Sequence, residues 1–156
     1  MLRSLLLCGG LLIVAMPLTA QTQLPTKRVL TLEAARRVLS AAEAEARKNN
    51  WAVSIAVLDD SGHLILFQRM DGAKLVATDI AIRKARTAAY FQGPTKDLEA
   101  EVAGGRTALL PIDGFMPLEG GVPLMSGGQL VGAVGVSGVS GAQDAQCALA
   151  GAAVIK

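Results

Sequence analysis

Three sets of residues in this chain have side chains or backbone that could do chemistry. Gly135, Gly138 and Gly141 recur every third position where an apolar run passes into a run of small residues. Backbone N–H groups at a strand-to-helix turn of this kind could hold an anion; the same glycines could equally serve close packing. Arg83, Lys84 and Arg86 crowd the middle of a segment with helical periodicity. Guanidinium and ammonium groups there could meet ligand carboxylates. On a 3.6-residue helix the three point in different directions, so at most one or two face any single site and the others form a solvated face. Lys84 and Thr87, three apart, share a side. His63 is the single histidine. It could be an axial iron ligand, since one imidazole suffices for haem, or a surface residue at a strand start. Met70, Met116 and Met125 offer soft sulfur or core filling.

Several chemistries are excluded by spacing. The glycines follow G-x-x-G-x-x-G rather than the dinucleotide pattern G-x-G-x-x-G, and no phosphate loop ending in Gly-Lys-Ser/Thr occurs. Neither G-x-S-x-G nor H-E-x-x-H nor C-x-x-C is present, and any Ser-His-Asp triad would have to use His63. The formal charge is +2 and the charges are scattered, so there is no footprint for nucleic acid.

These residues must be positioned by elements that can be read from pattern. Thr31 caps a helix in which Leu32, Ala35, Leu39, Ala42 and Ala46 form one apolar stripe, ending at Asn49-Asn50. Residues 52–58 and 63–70 form a hairpin around the turn 59–62. A second helix runs from about Leu75 to Phe91, with Leu75, Thr78, Ile82, Ala85 and Ala89 facing inward; a short one covers about 95–102. Residues 106–119 are loop or weak strand. Val122 to Met125 and Gln129 to Val136 then flank Gly127-Gly128, a hairpin signal because both glycines can take positive φ. The second of these runs is almost wholly apolar, as in a central strand covered on both faces. Ser140 and Gln143 make a capping box for a last helix. The order α-β-β-α-α-β-β-β-α, with strands in hairpins, predicts a mostly antiparallel sheet with helices packed on it. Half of the chain is apolar and only 3% aromatic, so the core must be built from Ala, Val, Leu and Ile.

Residues 1–20 read as a signal peptide: a short positive start at Arg3, an apolar run from Leu5 to Met16, and Ala20 as the cleavage residue. The apolar run is too short to span a membrane. Residues 21–28 read as a flexible leader and 29–156 as one domain. The expected mature protein is periplasmic or secreted, with no membrane span after cleavage. Cys8 leaves with the signal, and Cys147 stays behind without an intrachain partner, buried among alanines.

An ordered set of short motifs carries a family resemblance over about residues 29–154. They are Leu32-x-x-Ala35; Val57-Leu58-Asp59-x-x-Gly62-His63-Leu64; Arg69-Met70-Asp71-Gly72; Ile82 to Ala88; Gly120-Gly121-Val122-Pro123-Leu124; Gly132 to Gly138; Gln143-Asp144; and Cys147-Ala148. The chain resembles the GlcG/HbpS family of haem-binding-type proteins, related to the C-terminal domain of PduO-type proteins. The resemblance implies an α/β fold of the α+β kind, profilin-like, with a single five-stranded antiparallel sheet and helices on its faces. It also implies a homo-oligomer and haem as cofactor, with roles in haem or iron handling or redox sensing.

The leading expectation is an exported oligomeric protein that binds haem or a similar small anionic ligand. Its pocket would be lined by Gly120, Gly121, Pro123 and Met125, by Arg83, Lys84 and Thr87, and by Gly138, with His63 as the iron ligand. Two alternatives stand beside it. One is a small-molecule isomerase or lyase acting on a carboxylate substrate, with Lys84 or Asp79 as acid/base and the Gly135–Gly141 amides holding an oxyanion. The other is an accessory protein without ligand or catalysis.

Overall fold

The computed structural model describes residues 22–156. The predicted signal segment 1–20, with Cys8, and the first leader residue lie outside the described residues. Helix α1 (Leu32–Lys48) begins at Thr31, whose Oγ1 accepts from Ala34 N at 3.2 Å, and ends at Asn49. Strands β1 (Ser54–Asp59) and β2 (Leu64–Arg69) form the first hairpin. Helices α2 (Ala77–Phe91) and α3 (Thr95–Ala103) follow, then a 3-10 turn at Thr107–Leu109. Strands β3 (Gly121–Ser126) and β4 (Gln129–Ser137) form the second hairpin, and helix α4 (Gly141–Ala152) completes the domain. The capping box at Ser140 and Gln143 is formed.

The sheet has four strands, not five, in the order β2-β1-β4-β3, and every pairing is antiparallel. The missing strand is the weak one expected within 106–119. Pro111 and Pro117 remove ladder donors, and Gly114, with φ +74°, breaks the extended run, so the segment winds into turns instead. Leu109 and Phe115 in it pack with Leu98 of α3 as a small separate cluster. Gly127 and Gly128 both have positive φ, +56° and +79°, as a two-residue hairpin loop requires.

Alternation along β1 sorts the core into two layers. Ile55 and Val57 face α1 and α4, where they meet Val38, Ala42, Val134, Val136, Cys147 and Ala148. Ala56 and Leu58 face α2, where they meet Ala81, Ala85, Ala88 and Ala133. β4 is buried along most of its length, as expected of a central strand.

The glycines of β4 answer to the protein's own packing. A Cβ at Gly135 would stand 2.6 Å from Ala85 N and closer still to Ala81 O. α2 therefore lies directly on the strand, and alanines form its contact row. The expected stripe holds at Ala85 and Ala89 and fails at Leu75, which is 77% exposed, while Ala77, Ala81 and Ala88 complete the buried row. At so short a helix–sheet distance there is room for methyl groups and not for leucine.

Candidate functional site

Lys84 lies on the buried side of α2, and its side chain passes from one layer of the domain to the other. Nζ donates to Asp144 Oδ2 at 2.9 Å and to Val136 O at 3.1 Å. Lys84 is 3% exposed and Asp144 2% exposed, so the ion pair is withdrawn from water. Asp144 sits in the first turn of α4, where a negative charge suits the helix dipole, and its Oδ1 accepts from Val139 N at 3.2 Å. Burial pushes the Asp144 carboxyl above its ordinary range, against the opposing pull of Lys84 and the Val139 amide.

The start of β3 is shaped around this pair. A Cβ at Gly120 would come within 2.8 Å of Lys84 Nζ and 2.9 Å of Asp144 Cβ, and its φ is +129°. Only glycine can occupy that position. A Cβ at Gly121 would strike Lys84 O and stand 2.7 Å from Thr95 Cγ2. Two buried threonines pin the same segment. Thr87 Oγ1 accepts from Met116 N at 2.9 Å; Thr95 Oγ1 accepts from Gly121 N at 2.8 Å and donates to Leu118 O at 2.7 Å. Beside the ion pair opens a cleft of about 210 Å³, whose lining includes Ile80, Lys84, Glu99, Glu119, Ser137 and Asp144.

A second set of residues gathers at the other end of α2. His63 follows the β1–β2 turn with its side chain 81% exposed. Asp59 holds this turn: its Oδ1 accepts from the Ser61 and His63 amides, both at 2.9 Å, and its Oδ2 lies 3.7 Å from His63 Nδ1. The Tyr90 ring covers Gly62, where a Cβ would stand 2.6 Å from Cε1. Arg86 Nε donates to Gly62 O at 3.2 Å, tying α2 to the turn. Arg83, Arg86 and Tyr90, at i, i+3 and i+7, share this side of the helix, and Arg83 and Tyr90 are exposed.

The structure thus divides the expected pocket. Lys84, Gly120 and Gly121 do come together, with Thr87 one turn along. His63 follows the β1–β2 turn that Arg86 and Tyr90 cover, and Arg83, next in sequence to Lys84, is exposed on another face of α2. Met125 is 40% exposed at the opposite end of β3, beside the Gly127-Gly128 turn, and Pro123 is half-buried on this edge strand. Gly138 backs onto its own chain, since a Cβ there would stand 2.5 Å from Ala52 O. Two of the amides expected to hold an oxyanion are already engaged: Val139 N by Asp144, and Ser140 N by Gln143 Oε1 at 3.2 Å. Lys84 likewise meets an internal carboxylate, and Asp79 is exposed on α2.

Asp144 is the buried partner of Lys84, to which sequence reasoning gave no role. A signal was available: it is the one charged residue in α4, placed in the first turn among alanines and glycines. Among the described residues no group of three or more His, Cys, Asp and Glu side chains converges to hold a metal ion. Nor is any helix of those residues long and apolar enough to cross a membrane.

Comparison with known proteins agrees with this architecture. The family model for haem degrading proteins of HbpS-like type matches residues 30–153. Protein GlcG of Escherichia coli is 50% identical over 111 residues, which cover 71% of this chain and 83% of GlcG. The crystal structure of a double mutant of Streptomyces reticuli HbpS is 39% identical, with a TM-score of 0.80, covering 92% of this chain and 99% of that one. A PduOC–haem complex is 28% identical, with a TM-score of 0.75, covering 83% and 96%.

Proposed function

The chain belongs to the HbpS-like family of haem degrading proteins, and on that premise we propose that it is an exported, oligomeric haem-binding protein serving haem or iron handling. The observation that carries this reading is the exposed set around the β1–β2 turn and the outer face of α2. His63 presents an open imidazole with a carboxylate beside Nδ1. At 3.7 Å the carboxylate makes no hydrogen bond with the ring, which leaves the imidazole free to present a nitrogen to iron. Tyr90 and Leu64, 57% and 48% exposed, supply apolar surface for a flat ring. Arg83 on the same side of α2 supplies a cation for a propionate. When bound, haem would bring its iron as the redox and ligand-binding centre; the chain's own residues orient it and neutralise its carboxylates. The set is open to solvent, and a second copy of the chain would cover the other face of the ring. The haem complex formed by the PduOC relative supports the same class of ligand.

Hemin titration tests the reading. Micromolar protein is expected to shift the Soret band, and His63→Ala to abolish the shifted band. An unchanged hemin spectrum with the wild-type protein would remove the haem reading. A normal shift with His63→Ala would remove His63 as the ligand. N-terminal sequencing of protein recovered outside the cytoplasm should begin near Gln21, and its sizing should exceed one chain mass.

A further inference from the structure

Residues 27–30 cross the end of the sheet at which both hairpin turns lie, since β1 ends at Asp59 opposite Gly132, near the start of β4. Lys27 pairs with Asp60 in the first turn. Arg28 N donates to Gln129 Oε1 at 3.2 Å, and Arg28 Nη1 donates to Ser126 Oγ at 3.0 Å, one on either side of the second turn. A Cβ at Gly132 would stand 2.9 Å from Leu30 Cδ2, so this strap is seated on bare strand backbone. Between the strap and residues 154–156 opens a cleft of about 380 Å³, within the ~300–1,000 Å³ of small-molecule sites.

Leu30, Val131 and Ile155 give the cleft apolar walls. Val29 and Val154, also in its lining, are 69% and 41% exposed, so the chain does not close over that apolar surface. Leu24 is 84% exposed, so the described part of the leader does not fill the cleft with its own side chain. The polar end is Arg28. Its guanidinium lies against the glycine turn, where a Cβ at Gly127 would stand 2.7 Å from Nη1 and 2.9 Å from Cζ. Ser126 Oγ, which accepts from it, donates onward to Lys156 O at 2.6 Å. A guanidinium carries five N–H donors, and the hydrogen bonds of the described residues use one. Arg28 takes part in no ion pair among the described residues, and no aspartate or glutamate lines the cleft. A cation held in place without an anion, beside an apolar cavity, is set to recognise a carboxylate on an apolar body.

We propose that this cleft binds a short-chain aliphatic monocarboxylate. The carboxylate accepts from the N–H groups of Arg28 that the chain leaves unused, and the alkyl chain lies along Leu30, Val131 and Ile155. The guest thereby fastens the strap to the β3–β4 turn. One cation with apolar walls suits a single carboxylate better than a phosphate or a dicarboxylate, whose second charge would meet an apolar surface. The assignment is independent of the haem reading, because the cleft includes none of the residues around His63.

Calorimetry and thermal shift on the full chain without haem test it with hexanoate, hexanol, hexylamine and acetate. Hexanoate should bind and raise the melting temperature. Hexanol should bind more weakly for want of the charge, acetate for want of the chain, and hexylamine should not bind. Arg28→Gln should weaken hexanoate by about tenfold or more, since a charge-assisted hydrogen bond is lost, and leave hexanol unchanged. Val154→Ser should weaken hexanoate and hexanol together. Thermal scans without probe establish that both variants are folded, and His63→Ala should bind hexanoate like wild type. Bound hexanoate should also slow trypsin cleavage after Arg28. The proposal is overturned if hexanoate does not exceed a salt control, if hexanol or acetate equals it in the wild-type protein, or if Arg28→Gln binds it unchanged. Cleavage after Arg28 at an unaltered rate in saturating hexanoate would overturn it too, since the strap would then be no part of the site.

Discussion

Replacing Lys84 by methionine would remove the ammonium while keeping most of the aliphatic stem, so little cavity opens. What remains is the Asp144 carboxylate, 2% exposed, without its counter-ion. Breaking a buried pair in this way costs about 3–5 kcal/mol, most of it the desolvation of the charge left behind. With a urea slope of about 2 kcal/mol/M, the unfolding midpoint at pH 7 should fall by roughly 2 M. The double variant Lys84→Met/Asp144→Asn removes both charges and keeps an acceptor for Val139 N. It should recover most of the loss. The pH dependence follows from the carboxyl. Burial already raises Asp144 above its ordinary range, and without Lys84 the rise is larger. The folded state then binds a proton at pH values where the unfolded chain has released it. The stability of Lys84→Met should therefore be highest below the ordinary aspartate value of ~3.9 and fall as pH rises through the folded value. Urea titrations at pH 7 and pH 5 measure both effects. A loss below about 1 kcal/mol at pH 7, or one that does not shrink toward pH 5, would refute the argument that this pair is desolvated and mutually dependent.

Two further outcomes follow from packing. Gly135→Ala should destabilise the domain by about 1–3 kcal/mol, because its methyl meets the backbone of Ala81 and Ala85 and α2 must lift from β4; thermal melting measures it. Cys147 is fully buried, and burial pushes its thiol up to about 11. At pH 8 only about one molecule in a thousand would carry the thiolate. A thiol-specific disulfide reagent should leave the native protein unmodified and react fully in denaturant.

Where local chemistry decides structure, the sequence was a sufficient guide. The Thr31 cap, the two-glycine hairpin, the apolar run of β4 and the Ser140–Gln143 box each depend on neighbours within a few residues, and each formed as its composition demands. Where the outcome depends on distant segments, pattern misled. Large apolar side chains suggested that Leu75 faces inward; Ile82 does pack partly against the core, but the bare backbone at Gly135 makes alanine the main contact. Lys84 and Thr87 were legible as two positions on one side of α2. What they touch was not, because Asp144 and Met116 lie 60 and 29 residues further along the chain. Residues 106–119 were left open between loop and weak strand, and the four-stranded structure decides for turns, as Pro111, Gly114 and Pro117 favour.

The strand order also governs when the domain can form. β1 is paired on one side with β2, ten residues away, and on the other with β4, so that Ser54 lies opposite Ser137. Until the C-terminal portion of the chain is present, β1 keeps an open edge and α2 lacks most of the surface it covers. Pairings of such long sequence separation raise the contact order and slow the search for the native state. A nascent chain that ends before β4 can make the first hairpin and isolated helices, but not a core. Folding of this domain is accordingly an event of the completed polypeptide, and truncations that remove β4 should be degraded rather than accumulate as a smaller stable unit.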